Sequence, residues 1–132
     1  MNALIANEFG KDAPYKGKED DLQIACIRYA KFYHSDLVIF HTPNGGSRNK
    51  IEAKKLKDMG VLAGVADIIC LAPVGRFNGL VVELKVKGGS VTDHQQNFLT
   101  RCAQRGYFAA VCWSFEGWQQ CLKNYLNGKG AI

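Results

Sequence analysis

The segment formed by residues 80–87, LVVELKVK, alternates apolar and charged side chains, and this alternation limits the folds open to the chain. Successive side chains of a β-strand point to opposite faces of the sheet. One face is apolar and suits a core: Leu80, Val82, Leu84 and Val86. The other face carries Val81, Glu83, Lys85 and Lys87. Because buried charges are normally paired, bound to a metal or placed at a cleft, the segment is either a solvated edge strand or part of a functional site.

The remaining pattern predicts one α/β domain. Helices are predicted at residues 18–33, 49–58, 92–106 and 114–126, and strands at 36–41, 67–73, 80–87 and 107–113. The order α-β-α-β-β-α-β-α predicts a mixed central sheet flanked by helices. Residues 1–17 show no period and are interpreted as an N-terminal arm, and residues 127–132 as a tail, so the domain covers residues 18–126.

Composition excludes several classes of protein. The chain has 132 residues, which suits one domain, and no apolar run approaches the roughly 20 residues that span a bilayer. The N-terminus lacks the pattern of a signal peptide, so a cytoplasmic protein is expected. The five cysteines are scattered without a CxxC pair, which argues against a disulfide framework and against a zinc site.

The charge distribution favours a polyanionic partner such as nucleic acid. The net charge is +5, and the isoelectric point is about 9.0. Basic side chains cluster in one predicted helix and just before it: Arg48, Lys50, Lys54, Lys55 and Lys57. A solvated helix surface is the alternative interpretation of this cluster.

Asp67 opens the strand that precedes the charged one. We suppose that the two strands form a hairpin around a turn near Gly75 or Arg76. Asp67 then falls opposite Glu83 or Lys85 and shares their face. Two carboxylates this close repel unless a cation lies between them, and oxygen ligands suit Mg²⁺ or Mn²⁺. A metal ion, a water molecule and a lysine are the components for hydrolysing a phosphodiester, and Lys85 would orient the water or neutralise the transition state.

A third carboxylate is predicted from the first helix. Glu19 lies three residues before Leu22, on the inward stripe of that helix, whereas Asp20 and Asp21 rotate away from it. A favourable arrangement of charge at a helix N-terminus explains the same acidic cluster without selecting Glu19. Because of its spacing we still prefer Glu19 over Asp20, and the choice between them stays open.

Gln95 allows two interpretations. It shares a helical face with Phe98 and Leu99, so its amide can point inward to the site. It also has capping-box spacing to Thr92, and that role at the helix start is the alternative. The histidines lack metal-ligand spacing and are interpreted as structural or solvent-facing side chains: His34, His41 and His94.

The spacing of Asp67, Glu83 and Lys85 resembles the D…(D/E)xK core of the PD-(D/E)XK nucleases. The surrounding sequence resembles the VRR-NUC branch of that superfamily, with a glycine-rich approach to the aspartate, a hairpin, an ExK strand, a turn with glycine and a helix that opens with Gln. HTPNGGSR resembles the Asn-Gly-Gly segment of the branch, and EDDLQ its first-helix Glu followed by Gln. The resemblance covers about residues 18–115.

The resemblance implies a restriction-endonuclease-like fold in which Asp67 and Glu83 are metal ligands. Leu84 fills the variable position of the ExK motif, where the family offers a backbone carbonyl to the metal. It also implies roles for the polar residues around the pair: Lys85 as catalytic lysine, Gln95 as a supporting residue and Glu19 as a supporting residue and further ligand. The family usually has proline before the aspartate, and here Ala66 stands there; since that proline would only stiffen the strand entry, we expect activity to survive.

The implied function is Mg²⁺- or Mn²⁺-dependent cleavage of branched DNA by a homodimer, similar to a Holliday junction resolvase, in a bacterial or phage-infected cytoplasm. The DNA contacts are expected from Arg48, Lys50, Lys54 and Lys87 at phosphates and from Asn44 at the backbone. Two alternatives remain: a flap or nicking nuclease without junction preference, and a DNA-binding module that does not cut.

Overall fold

The computed structural model describes residues 6–43 and 49–128 of the chain. Within those ranges the elements are β1 (Asn7–Phe9), α1 (Glu19–Tyr33), β2 (Ile39–His41), α2 (Lys50–Asp58), β3 (Ile68–Cys70), β4 (Leu80–Leu84), α3 (Asp93–Gln104), β5 (Phe108–Cys112) and α4 (Phe115–Leu126). The predicted α/β class is confirmed, and every predicted helix and strand lies at its predicted place. The strands are shorter than predicted, because only part of each predicted segment pairs with a neighbouring strand.

The strand β1 was not predicted. The interpretation of residues 1–17 as an arm is wrong at Asn7–Phe9, which pairs parallel with β5. A strand of three residues is too short to show alternation. Its approach to α4 needs a glycine, since a Cβ atom at Gly117 would lie 2.6 Å from the carbonyl oxygen of Phe9. Residues 1–5 of the arm, and residues 129–132 of the tail, lie outside the described part of the chain.

The five strands form one mixed sheet in the order β1-β5-β4-β3-β2. The hairpin between β3 and β4 is antiparallel, as is the pairing of β2 with β3, whereas β4 pairs parallel with β5. The predicted mixed sheet with flanking helices, and with it the restriction-endonuclease-like fold, is confirmed. The charged strand β4 is therefore an inner strand between β3 and β5.

Both faces of the sheet are covered by helices, and this decides whether β4 is a solvated or a buried strand. Helices α1 and α4 pack on one face around Leu84, Trp118 and Leu122, and α3 packs on the other around Val81 and Leu99. All five residues of β4 are buried. The alternative of a solvated edge strand is wrong, because water does not reach either face of β4.

Helix caps fix where the helices begin near the site. Thr92 and Gln95 form the predicted capping box at the start of α3. Helix α1 has no side-chain cap, and its first turn instead carries three acids, Glu19, Asp20 and Asp21, which the helix dipole favours at that end. In the described part of the chain, no helix is both long enough and apolar enough to cross a membrane.

Candidate active site

The polar residues predicted from the sequence meet at one end of the sheet. Asp67 lies just before β3, and the register of the hairpin pairs Ile68 with Val82. One residue further along that register, Asp67 stands across from Glu83 rather than Lys85. The Asp67 carboxylate accepts a hydrogen bond from the backbone N–H of Leu84 through Oδ2 at 2.8 Å. The predicted hairpin thus brings Asp67 to the ExK segment and ties it there.

The backbone at Asp67 is held by the end of β2. The N–H of Thr42 donates to the carbonyl oxygen of Asp67 at 3.0 Å, and Nδ1 of His41 lies 2.7 Å from the same oxygen. The hydroxyl of Thr42 donates to the carbonyl oxygen of Ala66. These contacts fix the peptide that carries Asp67. Neither His41 nor Thr42 was predicted as a site residue, since their contacts depend on the pairing of β2 with β3, which α2 separates in the sequence.

Glu83 is the most buried charged side chain of the site, with 1% of its surface exposed. Its Oε2 accepts a hydrogen bond from Nε2 of Gln95 at 2.9 Å and lies 3.6 Å from Nζ of Lys85. Its Oε1 is buried and has no hydrogen-bond partner within residues 6–43 and 49–128. Burial, followed by the negative charge of Asp67, raises the pKa of Glu83 to about 9. Without a cation, this carboxyl therefore holds its proton at neutral pH.

Lys85 lies beside Glu83 with only 8% of its surface exposed. Its backbone N–H donates to the carbonyl oxygen of Cys112 at 2.9 Å, which holds it against β5. A buried ammonium needs a compensating charge, and the Glu19 carboxyl is near enough to be coupled to it electrostatically. The ammonium is therefore held at the site rather than in solvent.

Glu19 approaches the site from the first turn of α1. Partial desolvation raises its pKa, the charge of Asp67 raises it further, and the charge of Lys85 lowers it. The residue as a whole remains exposed, so its carboxyl lies at the mouth of the site with one side toward solvent. This coupling to Asp67 and Lys85 favours Glu19 as the acid of the first helix that faces the site.

Gln95 fills both roles that the sequence left open. Its side-chain oxygen accepts from the N–H of Thr92 at 3.0 Å, which completes the capping box. Its side-chain nitrogen donates to Glu83. An amide has an acceptor and a donor on opposite sides, so one side chain serves both partners.

The donor atoms of the site have the chemistry that a divalent cation requires. Across residues 6–43 and 49–128, no three His, Cys, Asp or Glu side chains are arranged to hold a metal ion. Asp67 and Glu83 remain as a carboxylate pair, and in the described part of the chain the buried Oε1 of Glu83 has no hydrogen-bond partner. Oxygen donors with a free carboxylate oxygen suit Mg²⁺ or Mn²⁺, which keep several water ligands when few protein ligands are present. The residues present therefore fit such an ion, and a direct bond from Glu19 stays a prediction.

The predicted DNA-binding residues are placed only in part. Lys50 and Lys54 are exposed on α2, and Lys54 is paired with Asp58 at 2.8 Å. Lys87 is exposed beyond β4. Asn44 and Arg48 lie outside the described residues. Helix α2 has no buried residue and presents its lysines to solvent.

Comparisons with known proteins agree with this geometry. The family model of the VRR-NUC domain matches residues 17–116. A solved structure described as a VRR-NUC domain protein superposes with a TM-score of 0.73 at 26% sequence identity, covering 84% of this chain and 89% of that one. No curated protein sequence matches the chain.

Proposed function

The chain belongs to the VRR-NUC family, whose members are nucleases, and from that membership we propose a metal-dependent endonuclease that cuts branched DNA, similar to a Holliday junction resolvase. The observation that carries the proposal is the pair formed by half-buried Asp67 and buried Glu83, with Lys85 held beside it. Such a group has no structural purpose that an apolar core would not serve better.

Each residue of the group has a proposed role. Asp67, Glu83 and the backbone carbonyl of Leu84 hold Mg²⁺ or Mn²⁺. When bound, the ion stabilises negative charge on the phosphate and lowers the pKa of the attacking water. Lys85 orients that water or neutralises charge as the bond breaks. Gln95 is a positioning residue, because it acts by orienting Glu83.

Glu19 has a supporting role in this proposal. Its carboxyl is coupled to both Asp67 and Lys85 while one side stays open to solvent. From that position it holds water at the mouth of the site and lies within electrostatic reach of Lys85. It stands as a further metal ligand only if the bound ion draws it inward.

DNA is the proposed partner, held mainly through its phosphates by exposed lysines, among them Lys50, Lys54 and Lys87. Phosphate contacts give affinity and salt dependence without base specificity. Preference for a branched structure then has to come from the arrangement of two sites, and two-fold symmetry supplies it in a homodimer.

Apolar surface is available for such a dimer. Phe40 on β2 pairs with Ile69, and Val38 lies opposite Leu71 through a backbone hydrogen bond. The side chains of Val38, Phe40 and Leu71 are exposed. We expect Phe40→Glu to convert a dimer to a monomer in analytical ultracentrifugation. A monomeric wild-type protein would overturn the homodimer.

The test is cleavage of a labelled four-way junction, a flap and a plain duplex with Mg²⁺ or Mn²⁺. Lys85→Ala removes the buried ammonium, and Lys123→Ala, an exposed lysine on α4, is its matched control. We expect junction cleavage that is lost in Lys85→Ala and in chelator but kept in Lys123→Ala. Equal cutting of flap and junction would favour a flap nuclease, and binding without cutting would leave a DNA-binding module.

A further inference from the structure

A groove of about 730 Å³ opens between α2 and the start of α3. Its volume lies within the roughly 300–1,000 Å³ of typical small-molecule sites. The groove is lined by side chains from three segments, among them Leu56 and Lys57 of α2, Val61 and Leu62 of the loop after it, and His94 and Asn97 of α3. None of them belongs to the group around Glu83.

The groove and the active site share the first turn of α3. His94 lines the groove, and the next residue, Gln95, donates to Glu83. The loop that follows α2 packs closely against the same turn at Gly64, where a Cβ atom would lie 2.5 Å from the carbonyl oxygen of His94. Gly64 also has a positive φ of 82°, which favours glycine. A ligand in the groove would therefore contact the same helical turn that carries Gln95.

The lining combines apolar surface with polar groups at its rim. Val61 and Leu62 are 56% and 47% exposed, so burying them under a ligand is favourable. Lys57 offers a positive charge, while His94 and Asn97 can donate and accept hydrogen bonds. A nucleotide has the complementary parts: flat apolar base faces, polar base edges and a phosphate. A paired base inside a duplex is stacked and cannot enter a groove of this kind.

We propose that this groove takes one unpaired nucleotide of the DNA, with its base against Val61 and Leu62 and a phosphate near Lys57. The proposal rests on the proposed nuclease function and narrows its substrates to DNA with an unpaired, or readily unpaired, nucleotide close to the cut. Extruding a base costs least where pairing is already lost, so a branch point is favoured over plain duplex.

The test uses two tryptophan variants of one helix. Ala53 lines the groove, so Ala53→Trp fills it. Ile51 is 84% exposed on α2 and does not line the groove, so Ile51→Trp is the matched control. The probe is a four-way junction that carries 2-aminopurine beside the branch, with a duplex of the same strand for comparison, both in chelator so that nothing is cut.

We expect 2-aminopurine fluorescence to rise when wild type binds the junction, because the base leaves its stack, and not when it binds the duplex. Ala53→Trp should abolish the rise and weaken junction binding at least about fivefold, whereas Ile51→Trp should match wild type. The same rise in Ala53→Trp as in wild type would overturn the proposal, and so would bound junction without any rise.

A second variant guards against a folding defect in Ala53→Trp. Asn97→Ala only shortens an exposed side chain of α3, and it should reduce the preference for a junction with an unpaired nucleotide over one fully paired. An unchanged preference counts against the groove. Since binding is measured without cutting, the two proposals fail separately: cutting without the fluorescence rise overturns the groove alone, and the rise without cutting overturns the nuclease alone.

Discussion

The side-chain nitrogen of Gln95 lies 2.9 Å from Oε2 of Glu83, while the side-chain oxygen of the same residue caps α3. The position of the helix start and the orientation of the buried carboxylate are therefore set by one amide. Losing this amide would therefore loosen the start of α3 and also free Glu83, whose other oxygen has no hydrogen-bond partner among the described residues.

Replacing Gln95 by alanine removes both of these contacts. We expect Gln95→Ala to lose about 1 kcal/mol of stability with the cap and to lower cleavage roughly 10–100-fold through Glu83. Thr92→Ala is the matched control, since it breaks the capping box and leaves the amide nitrogen of Gln95 in place. Its stability should fall by a similar amount while cleavage stays near wild type. Equal loss of cleavage in both variants would show that only the helix start matters.

The raised pKa of Glu83 predicts how stability depends on pH in chelator. The unfolded carboxyl releases its proton near pH 4.5 and the folded one near pH 9, so between these values only the folded state keeps the proton. The stabilisation of the fold by protonated Glu83 is complete below about pH 4.5. It is lost as the pH rises toward about 9, by up to about 1.4 kcal/mol per pH unit for one proton.

Glu83→Gln is the variant that tests this dependence. The amide keeps the shape of the side chain and cannot ionise, so its urea-denaturation free energy should fall less between about pH 5 and about pH 9 than that of wild type. Mn²⁺ should raise the melting temperature of wild type at pH 8 and leave the variant unchanged, because the ion binds the ionised carboxylate. Parallel pH curves for the two proteins would contradict the assignment.

The hydroxyl of Thr42 is expected to matter through the peptide it holds. Thr42→Val keeps the shape but leaves the carbonyl oxygen of Ala66 without this donor, which should cost about 1–3 kcal/mol and lower cleavage by misplacing Asp67. Thr42→Ser restores the hydroxyl and should recover most of both. Thermal melts and junction cleavage of the variants, measured side by side, test this role of the hydroxyl. A valine variant as active as wild type would show that Thr42 does not support the site.

The lysines of α2 should differ in their effect on DNA binding. Lys54 is already paired with Asp58 at 2.8 Å, whereas no such ion pair involves Lys50 among the contacts found in the described residues. We expect Lys50→Ala to reduce the slope of log affinity against log salt by about 1, and Lys54→Ala to reduce it by less. Lys123→Ala on α4 should leave the slope unchanged. A larger change for Lys54 than for Lys50 would mean that DNA displaces Asp58.

The sequence predicted those parts of the site that depend on local spacing. Parity along residues 80–87 placed Glu83 with Lys85, and a short hairpin brought Asp67 to them, because neither inference needs the rest of the fold. His41 and Thr42 could not be predicted from the sequence. They contact Asp67 only because β2 pairs with β3, and α2 separates these strands in the sequence. Gln95 kept two interpretations, as a helix cap and as a site residue. Spacing cannot show that the two sides of one amide bind different partners.

The groove beside α3 was also beyond sequence reasoning. It depends on how the loop from Gly60 to Gly64 packs against α3, and a small-residue loop carries no periodic signal. The strand β1 was missed for a similar reason. Its identity as a strand comes entirely from a partner at the far end of the chain.

That distant partnership has a consequence for biosynthesis. Asn7 donates through its side chain to the carbonyl oxygen of Ala109, 102 positions later. A ribosome releases β1 long before β5 exists, so the first strand waits, unpaired, until nearly the whole domain has emerged. Until it docks, β5 presents an open, apolar edge to any other chain nearby. Recombinant versions trimmed at the front would keep that edge open permanently, and such proteins should accumulate in inclusion bodies.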